Sequence, residues 1–269
     1  MTLPTNFHFS QASLADYVDC PRRFQLRYLL EQAWPAVESE PLLERERLAE
    51  QGRRFHKLIQ QHVEGLPPDV LTPPPSEPDL VRWWQSYLNS LTTTLNDLPI
   101  EHRAEVALSI PIKTYRLTAH FDLIAVEIDR AVIVDWKTEQ RLPTREQLLK
   151  RMQTRVYRYV LTVAQQRPPG TISMIYWFAQ YPDQLIALPY DAAQQADDHQ
   201  FLTALIDEIE QRAHQPGNWD MTSHERKCAY CVYRSLCQRG VQAGTLAAEE
   251  DDLDLVAQIT FEAIDAIEY

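Results

Sequence analysis

Across residues 104–137 of this 269-residue chain, the apolar pattern changes from the spacing of a helix to strict alternation. Residues 104–112, 115–127 and 131–137 are rich in β-branched side chains and repeat with period two, so they read as three consecutive strands. Helical spacing precedes them at 9–34, 42–63 and 80–95. It returns at 145–165 and 192–214, with two shorter strands at 171–179 and 184–188. Pro21 fits the first turn of a helix, where proline costs nothing, and the proline-rich stretch 67–78 reads as a stiff link. This order predicts an α/β fold with a mixed central sheet flanked by helices. One domain, 1–245, comprises an N-terminal helical extension (1–100), a core (101–215) and a cysteine-bearing lobe (216–245). An acidic tail, 246–269, follows.

The third strand carries the chemistry. Side chains two apart on a strand share a face, so Asp135 and Lys137 project together on a segment that is otherwise apolar. Burying charge is costly unless it is paired or holds a metal. Asp122 lies on the neighbouring strand, sharing a face with Thr118 and His120. Carboxylates from adjacent strands form an oxygen site suited to Mg²⁺ or Mn²⁺. Such an ion makes water more acidic and polarises a phosphoryl oxygen, and a neighbouring lysine can neutralise charge that develops there. The competing reading is a salt bridge at a strand end.

The formal net charge is −12, which at first argues against a nucleic-acid partner. Residues 246–269 carry eight acidic residues and no Lys or Arg, leaving −4 on residues 1–245. The tail therefore reads as a solvated appendage or a short partner-binding helix. No run approaches the roughly 18 apolar residues of a membrane span. The first ten residues lack a basic segment followed by an apolar one. The expectation is a cytoplasmic protein without a membrane partner, in which four cysteines serve metal, catalysis or burial rather than disulfides.

Five elements in order resemble the RecB-like branch of the PD-(D/E)XK nucleases. They are Ser13–Phe24 around Cys20, His56 in Gly52-Arg-Arg-Phe-His56, Asp122, Asp135-x-Lys137, and Gln153-x-x-x-Tyr157. The sequence departs from the branch at 119–123, which lacks its usual glycine before the aspartate and arginine after it. The resemblance implies a restriction-endonuclease-like fold and a metal-dependent deoxyribonuclease. His56, Asp122, Asp135 and the Trp136 carbonyl would hold Mg²⁺ or Mn²⁺, and Lys137 would be the catalytic lysine. Gln153 and Tyr157 would position the phosphate backbone or the attacking water.

Cys228, Cys231 and Cys237 cluster near the C-terminus, with Cys20 far upstream. Four thiolates suit one tetrahedral Zn²⁺ or one iron–sulfur cluster. Structural zinc prefers two paired knuckles, and Cys20 has no such neighbour. The one-plus-three arrangement resembles the iron–sulfur staple of AddB-type and CRISPR-associated nucleases, implying a [4Fe–4S] cluster, with Zn²⁺ as the second candidate.

Arg151, Arg155 and Arg158 recur at i, i+4 and i+7 and read as a DNA-binding stripe beside Gln153. The expected function is cleavage of DNA phosphodiester bonds, as an exonuclease on single-stranded or end-containing DNA in repair, recombination or CRISPR adaptation. No G-x-x-x-x-G-K-[ST] motif is present, so unwinding would fall to a partner such as a helicase or another repair or CRISPR protein. The alternatives are a non-catalytic DNA-binding or assembly module of the same fold, and a zinc-stapled protein with no DNA role.

Overall fold

A computed structural model describes residues 2–33, 40–229 and 231–240. Trp34 and the expected acidic tail lie outside the described residues. In chain order the elements are β1 (His8–Ser10), α1 (Gln11–Asp19), α2 (Pro21–Phe24), α3 (Glu40–Val63), α4 (Pro78–Ser90), β2 (Glu101–Ile112), β3 (Tyr115–Val126), β4 (Ala131–Lys137), α5 (Arg145–Lys150), α6 (Met152–Gln165), β5 (Ile172–Phe178), β6 (Ile186–Pro189) and α7 (Ala192–Ala213). A π-helical turn, Gln25–Leu29, follows α2.

The sheet is mixed, in the order β1-β3-β4-β5-β6, with β2 also on β3. The β3–β4 and β5–β6 pairs are antiparallel, whereas β4 and β5 run parallel through the crossover helices α5 and α6. The anticipated fold class therefore holds: a central mixed sheet with helices around it. All seven residues of β4 are buried, as expected of a strand covered on both faces.

The chain divides into two compact units. The first consists of Ala49–Ile110 and Thr118–His199. Its main core joins Phe55 and Ile59 of α3 and Trp83, Trp84 and Tyr87 of α4 to Leu123, Val134, Trp136 and Trp177 of the sheet. Each such side chain, fully buried, contributes about 1.5–3 kcal/mol. By alternation Asp135, Lys137 and Tyr176 face the other way, toward α6, where Tyr176 meets Thr154 hydroxyl to hydroxyl at 2.8 Å. The second unit consists of Met1–Leu48, Pro111–Leu117 and Gln200–Tyr269. Phe9, Tyr17, Phe24 and Trp219 form its aromatic core.

The expected single helix over 145–165 is two helices, broken at Arg151, whose backbone is extended (φ −62°, ψ 136°). The cause is tertiary. The Arg151 guanidinium, 4% exposed, forms a bidentate pair with Glu139 at 2.9 and 3.0 Å. The Leu148 carbonyl, which a continuous helix would bond to the Met152 N–H, instead accepts from the Thr154 hydroxyl and the Arg151 N–H. The break lets α6 restart over the ends of β4 and β5, carrying Gln153 with it.

Candidate active site

The antiparallel ladder of β3 and β4 runs from Val126↔Ala131 to Leu123↔Val134. Beyond it the Trp136 N–H donates to the Asp122 carboxylate at 2.9 Å. Asp122 thus uses its side chain to satisfy a backbone donor. Its side-chain alternation also breaks there. Phe121 packs its ring on Tyr157 of α6, whereas Leu123 belongs to the core under α3 and α4. That irregularity turns Asp122 toward His56, whose Nδ1 lies 3.4 Å from Asp122 Oδ1. Gly52, one helical turn before His56, has the Thr138 hydroxyl 3.4 Å from where a β-carbon would stand. A small residue there lets α3 pass close to the end of β4.

On β4, Lys137 Nζ lies 2.7 Å from Asp135 Oδ2 and donates to Gln153 Oε1 at 3.1 Å. The Gln153 amide in turn donates to Asp135 Oδ1 at 2.6 Å. Asp135, Lys137 and Gln153 form a closed triangle in which each polar group has a partner. Lys137 also stands over the Tyr176 ring, 5.7 Å from its centre, a favourable position for a cation.

The electrostatics separate the two aspartates. Burial opposes ionisation of Asp122, but His56, then Lys137 and the Trp136 N–H, outweigh it and hold its carboxyl below the ordinary range. Burial dominates at Asp135, which is 1% exposed, and together with the Asp122 charge pushes it up to about 6 against the pull of Lys137. Burial disfavours the charged form of His56, yet the Asp122 carboxylate prevails and raises it.

The structure therefore gathers His56, Asp122, Asp135, Lys137 and Gln153 around the C-terminal end of β4 and the part of β3 beside it. Trp136 contributes its backbone there while its indole packs in the core against Tyr87 and Trp177. Tyr157 is buried with its ring on Phe121, 4.9 Å between centres. His120 is exposed. The aromatic residues Tyr176, Trp177 and Phe178 are all core.

The arginine stripe needs correction. Arg151 is tied to Glu139. Arg158, 3% exposed, donates to the Thr154 and Pro189 carbonyls and lies over the Tyr190 ring. Arg155 is paired with Asp197 and Asp198. These side chains hold α5, α6 and the start of α7 together. A regular spacing places residues on one helix face but does not say whether that face is wet.

Glu105 was not anticipated. Its carboxylate joins His56 and Asp122 in a set whose ligand atoms all lie within 4.8 Å of one another. A readable signal existed. β2 and β3 flank the two-residue turn Lys113–Thr114. Counting back from that turn puts Ser109 opposite Thr118, in keeping with their hydroxyl hydrogen bond at 3.1 Å, and Glu105 opposite Asp122. Desolvation, then the Asp122 charge, push the Glu105 carboxyl up to about 7.

The second constellation lies in the other unit. Cys20, Cys228, Cys231 and Cys237 line one cavity with Arg23, Leu26 and Tyr233. Cys20 sits between α1 and α2, its thiol accepting from the Thr222 N–H at 3.4 Å. The other three lie on successive turns, with Cys231 N–H bonded to the Cys228 carbonyl and Cys237 N–H to that of Tyr233. Lys227 Nζ reaches Asp19 at 2.5 Å, and the Gln25 side chain bonds both Gly217 and Trp219, which fastens the two chain segments around the cavity. Burial pushes the Cys231 thiol up to about 11 and raises Cys228 and Cys237 as well.

No helix among the described residues is long and apolar enough to cross a membrane. No curated protein matches the sequence. Several solved structures are similar, among them the two that follow. The crystal structure of SSO0001 is 14% identical, with 86% of this chain and 85% of that chain covered and a TM-score of 0.40. A candidate exonuclease from Eubacterium rectale is 9% identical, with 78% and 84% covered and a TM-score of 0.48. The family model of the PD-(D/E)XK nuclease superfamily matches residues 8–238. That span takes in both constellations and every strand of the sheet, and the chain belongs to this superfamily.

Proposed function

We propose that the protein is a divalent-cation-dependent deoxyribonuclease, acting as an exonuclease on single-stranded or end-containing DNA. The observation that carries this reading is the Asp135–Lys137–Gln153 triangle beside the His56–Asp122 pair. One imidazole nitrogen and several carboxylate oxygens are a donor set that fits Mg²⁺ or Mn²⁺. His56, Asp122, Asp135 and the Trp136 carbonyl would hold the ion, which supplies Lewis-acid polarisation of the scissile phosphate.

The chain's own residues do the rest. Asp135 and Gln153 fix the Lys137 ammonium, leaving it oriented to stabilise the charge that builds on the phosphoryl oxygens. Gln153 locks the Asp135 carboxylate in one orientation, so little reorganisation is needed during reaction. Tyr157 supports this arrangement from behind through Phe121.

The test is cleavage of end-labelled DNA with Mg²⁺ or Mn²⁺, comparing the parent with Lys137→Ala and Asp135→Asn. Cleavage that depends on the cation and is lost in both variants supports the reading. Variants that fold and cleave like the parent overturn the site, and DNA binding without cleavage would favour a non-catalytic module.

The cysteine cavity holds a [4Fe–4S] cluster with a structural role in the same proposal. Four thiols on one cavity are a complete ligand set, and the Thr222 N–H donor on Cys20 suits a thiolate. Anaerobically purified protein should be brown, with broad absorbance near ~400 nm. Colourless protein with one zinc per chain would replace the cluster by Zn²⁺. The resemblance to AddB-type and CRISPR-associated nucleases favours a role in repair, recombination or CRISPR adaptation, alongside a helicase or another protein of those processes.

A further inference from the structure

Glu105 stands outside the ligand set just described, and its position calls for an explanation. It is the only non-glycine residue with positive φ (51°) that lies within a strand among the described residues. Left-handed backbone at a glutamate is disfavoured, and inside a strand it breaks the alternation of side chains. The effect is to turn the Glu105 carboxylate to His56 and Asp122, within 4.8 Å of a ligand atom on each.

Two carboxylates that converge in this way repel unless a proton or a cation lies between them. Asp135, the other carboxylate of the expected set, is engaged on both oxygens, by Lys137 and by Gln153. Glu105 is exposed, whereas Asp135 is buried.

We propose that Glu105 is a further ligand of the divalent cation, completing with His56 and Asp122 the rim-facing half of its coordination. This rests on the cation-dependent reading of the site. The inner half is left to Asp135 and the β4 backbone. A hard cation such as Mg²⁺ or Mn²⁺ suits this oxygen-rich arrangement with one imidazole.

The experiment is Mn²⁺ binding to the full-length protein, by calorimetry and by the electron paramagnetic resonance of free ion, for the parent, Glu105→Gln and Asp122→Asn. Melting temperatures are measured with and without Mn²⁺. Glu105→Gln should weaken Mn²⁺ affinity about 10-fold or more and shrink the rise in melting temperature that the ion produces. The metal-free melting temperature should stay at the parent value or go up, because a carboxylate repulsion has been removed. A residue with a merely structural role would lower the metal-free value and leave the affinity of folded protein unchanged.

Parent-like affinity in Glu105→Gln, together with its loss in Asp122→Asn, overturns the ligand role and leaves the site standing. Parent-like affinity in Asp122→Asn, or no binding by the parent, overturns the site reading itself. Should Glu105→Gln not fold, Glu105→Asp takes its place. Its shorter reach should weaken binding, and unchanged affinity counts against the proposal.

Discussion

The carboxylate site and the cysteine cavity are each built from a handful of side chains, but they are held in opposite ways. Around Asp135 the polar groups already bond one another: Lys137 to Asp135 and Gln153, Gln153 to Asp135, Trp136 N–H to Asp122. These residues sit on paired strands and on the first turn of α6, over a core of aromatic side chains. The thiols instead hang from short turns, where the Thr222 N–H bonds Cys20, the Tyr233 backbone bonds Cys231 and the Arg22 side chain bonds Cys237. Their raised pKa values mean that protons must leave before a metal enters. The first site is held together by its own hydrogen bonds and ion pair. On the proposed reading the second would depend on a metal or cluster, which would close a loop of more than two hundred residues and contribute stability.

The sharpest way to break that contrast is to empty each site in turn. Asp135→Asn and Lys137→Ala should each lower cleavage by about 10²-fold or more, the scale of losing one preorganised electrostatic group. Far-ultraviolet circular dichroism should stay that of the parent. Cys228→Ser should do the reverse: the absorbance near ~400 nm disappears and the unit containing Met1–Leu48 becomes sensitive to protease, because binding energy there is folding energy. A Cys228→Ser protein that is colourless yet melts like the parent would make the two sites equivalent and remove the distinction.

Arg151→Ala comes next in size. Its partner Glu139 is buried beside it, with side-chain exposures of 3% and 8%. Removing one member of a buried pair strands the other charge, at a cost of about 3–5 kcal/mol. Urea unfolding should show that loss. If Arg151 served DNA instead, the variant would keep its stability and lose salt-dependent DNA affinity.

The metal-free protein should also respond to pH in a defined direction. Asp135 and Glu105 are raised in the folded state, to about 6 and about 7, from ordinary values of 3.8 and 4.5. The unfolded chain loses these protons first, so their contribution to stability is complete below about pH 4 and declines up to about pH 7. Asp122 is lowered, and its contribution is lost only as the pH falls below its ordinary range. Melting temperatures of metal-free protein should therefore drop across pH 4–7, and Mn²⁺ should restore them most at the upper end, where its ligands are ionised. A flat profile would show that neither carboxyl feels the burial assigned to it.

Much of this arrangement is legible in the sequence, and the exceptions have a common cause. β4 was read to its exact ends because period two with β-branched residues is a local signal. Asp135 and Lys137 share a face by strand spacing alone, whereas Gln153 is placed at the site through the resemblance to the RecB-like branch. The break at Arg151 follows from neither, because it is set by an ion pair with Glu139, twelve residues away. The same holds for Arg155, whose partners Asp197 and Asp198 lie more than forty residues on. Glu105 is the intermediate case. Its register opposite Asp122 follows from the hairpin, but its left-handed backbone does not follow from any residue preference.

The smallest effect concerns where DNA is held. Arg53 and Arg54 are paired with Glu50 and Glu77, so neither presents a simple cation to a phosphate. Lys57 is exposed, one residue after His56, and its ammonium donates to the neutral Gln60 side chain at 3.0 Å. Its charge also acts on Glu105 at the rim of the site. Lys57→Ala should leave the melting temperature within about 1 °C of the parent, as expected for a surface change worth under about 0.5 kcal/mol. The slope of log affinity against log salt should become shallower by roughly 1, the signature of one lost phosphate contact. Arg158→Ala is the partner measurement. That guanidinium is enclosed by the Thr154 and Pro189 carbonyls and the Tyr190 ring, so its removal should lower stability and leave the salt slope where it was. If the two variants exchange these outcomes, the DNA path runs along α6 after all and the exposed end of α3 has no part in it.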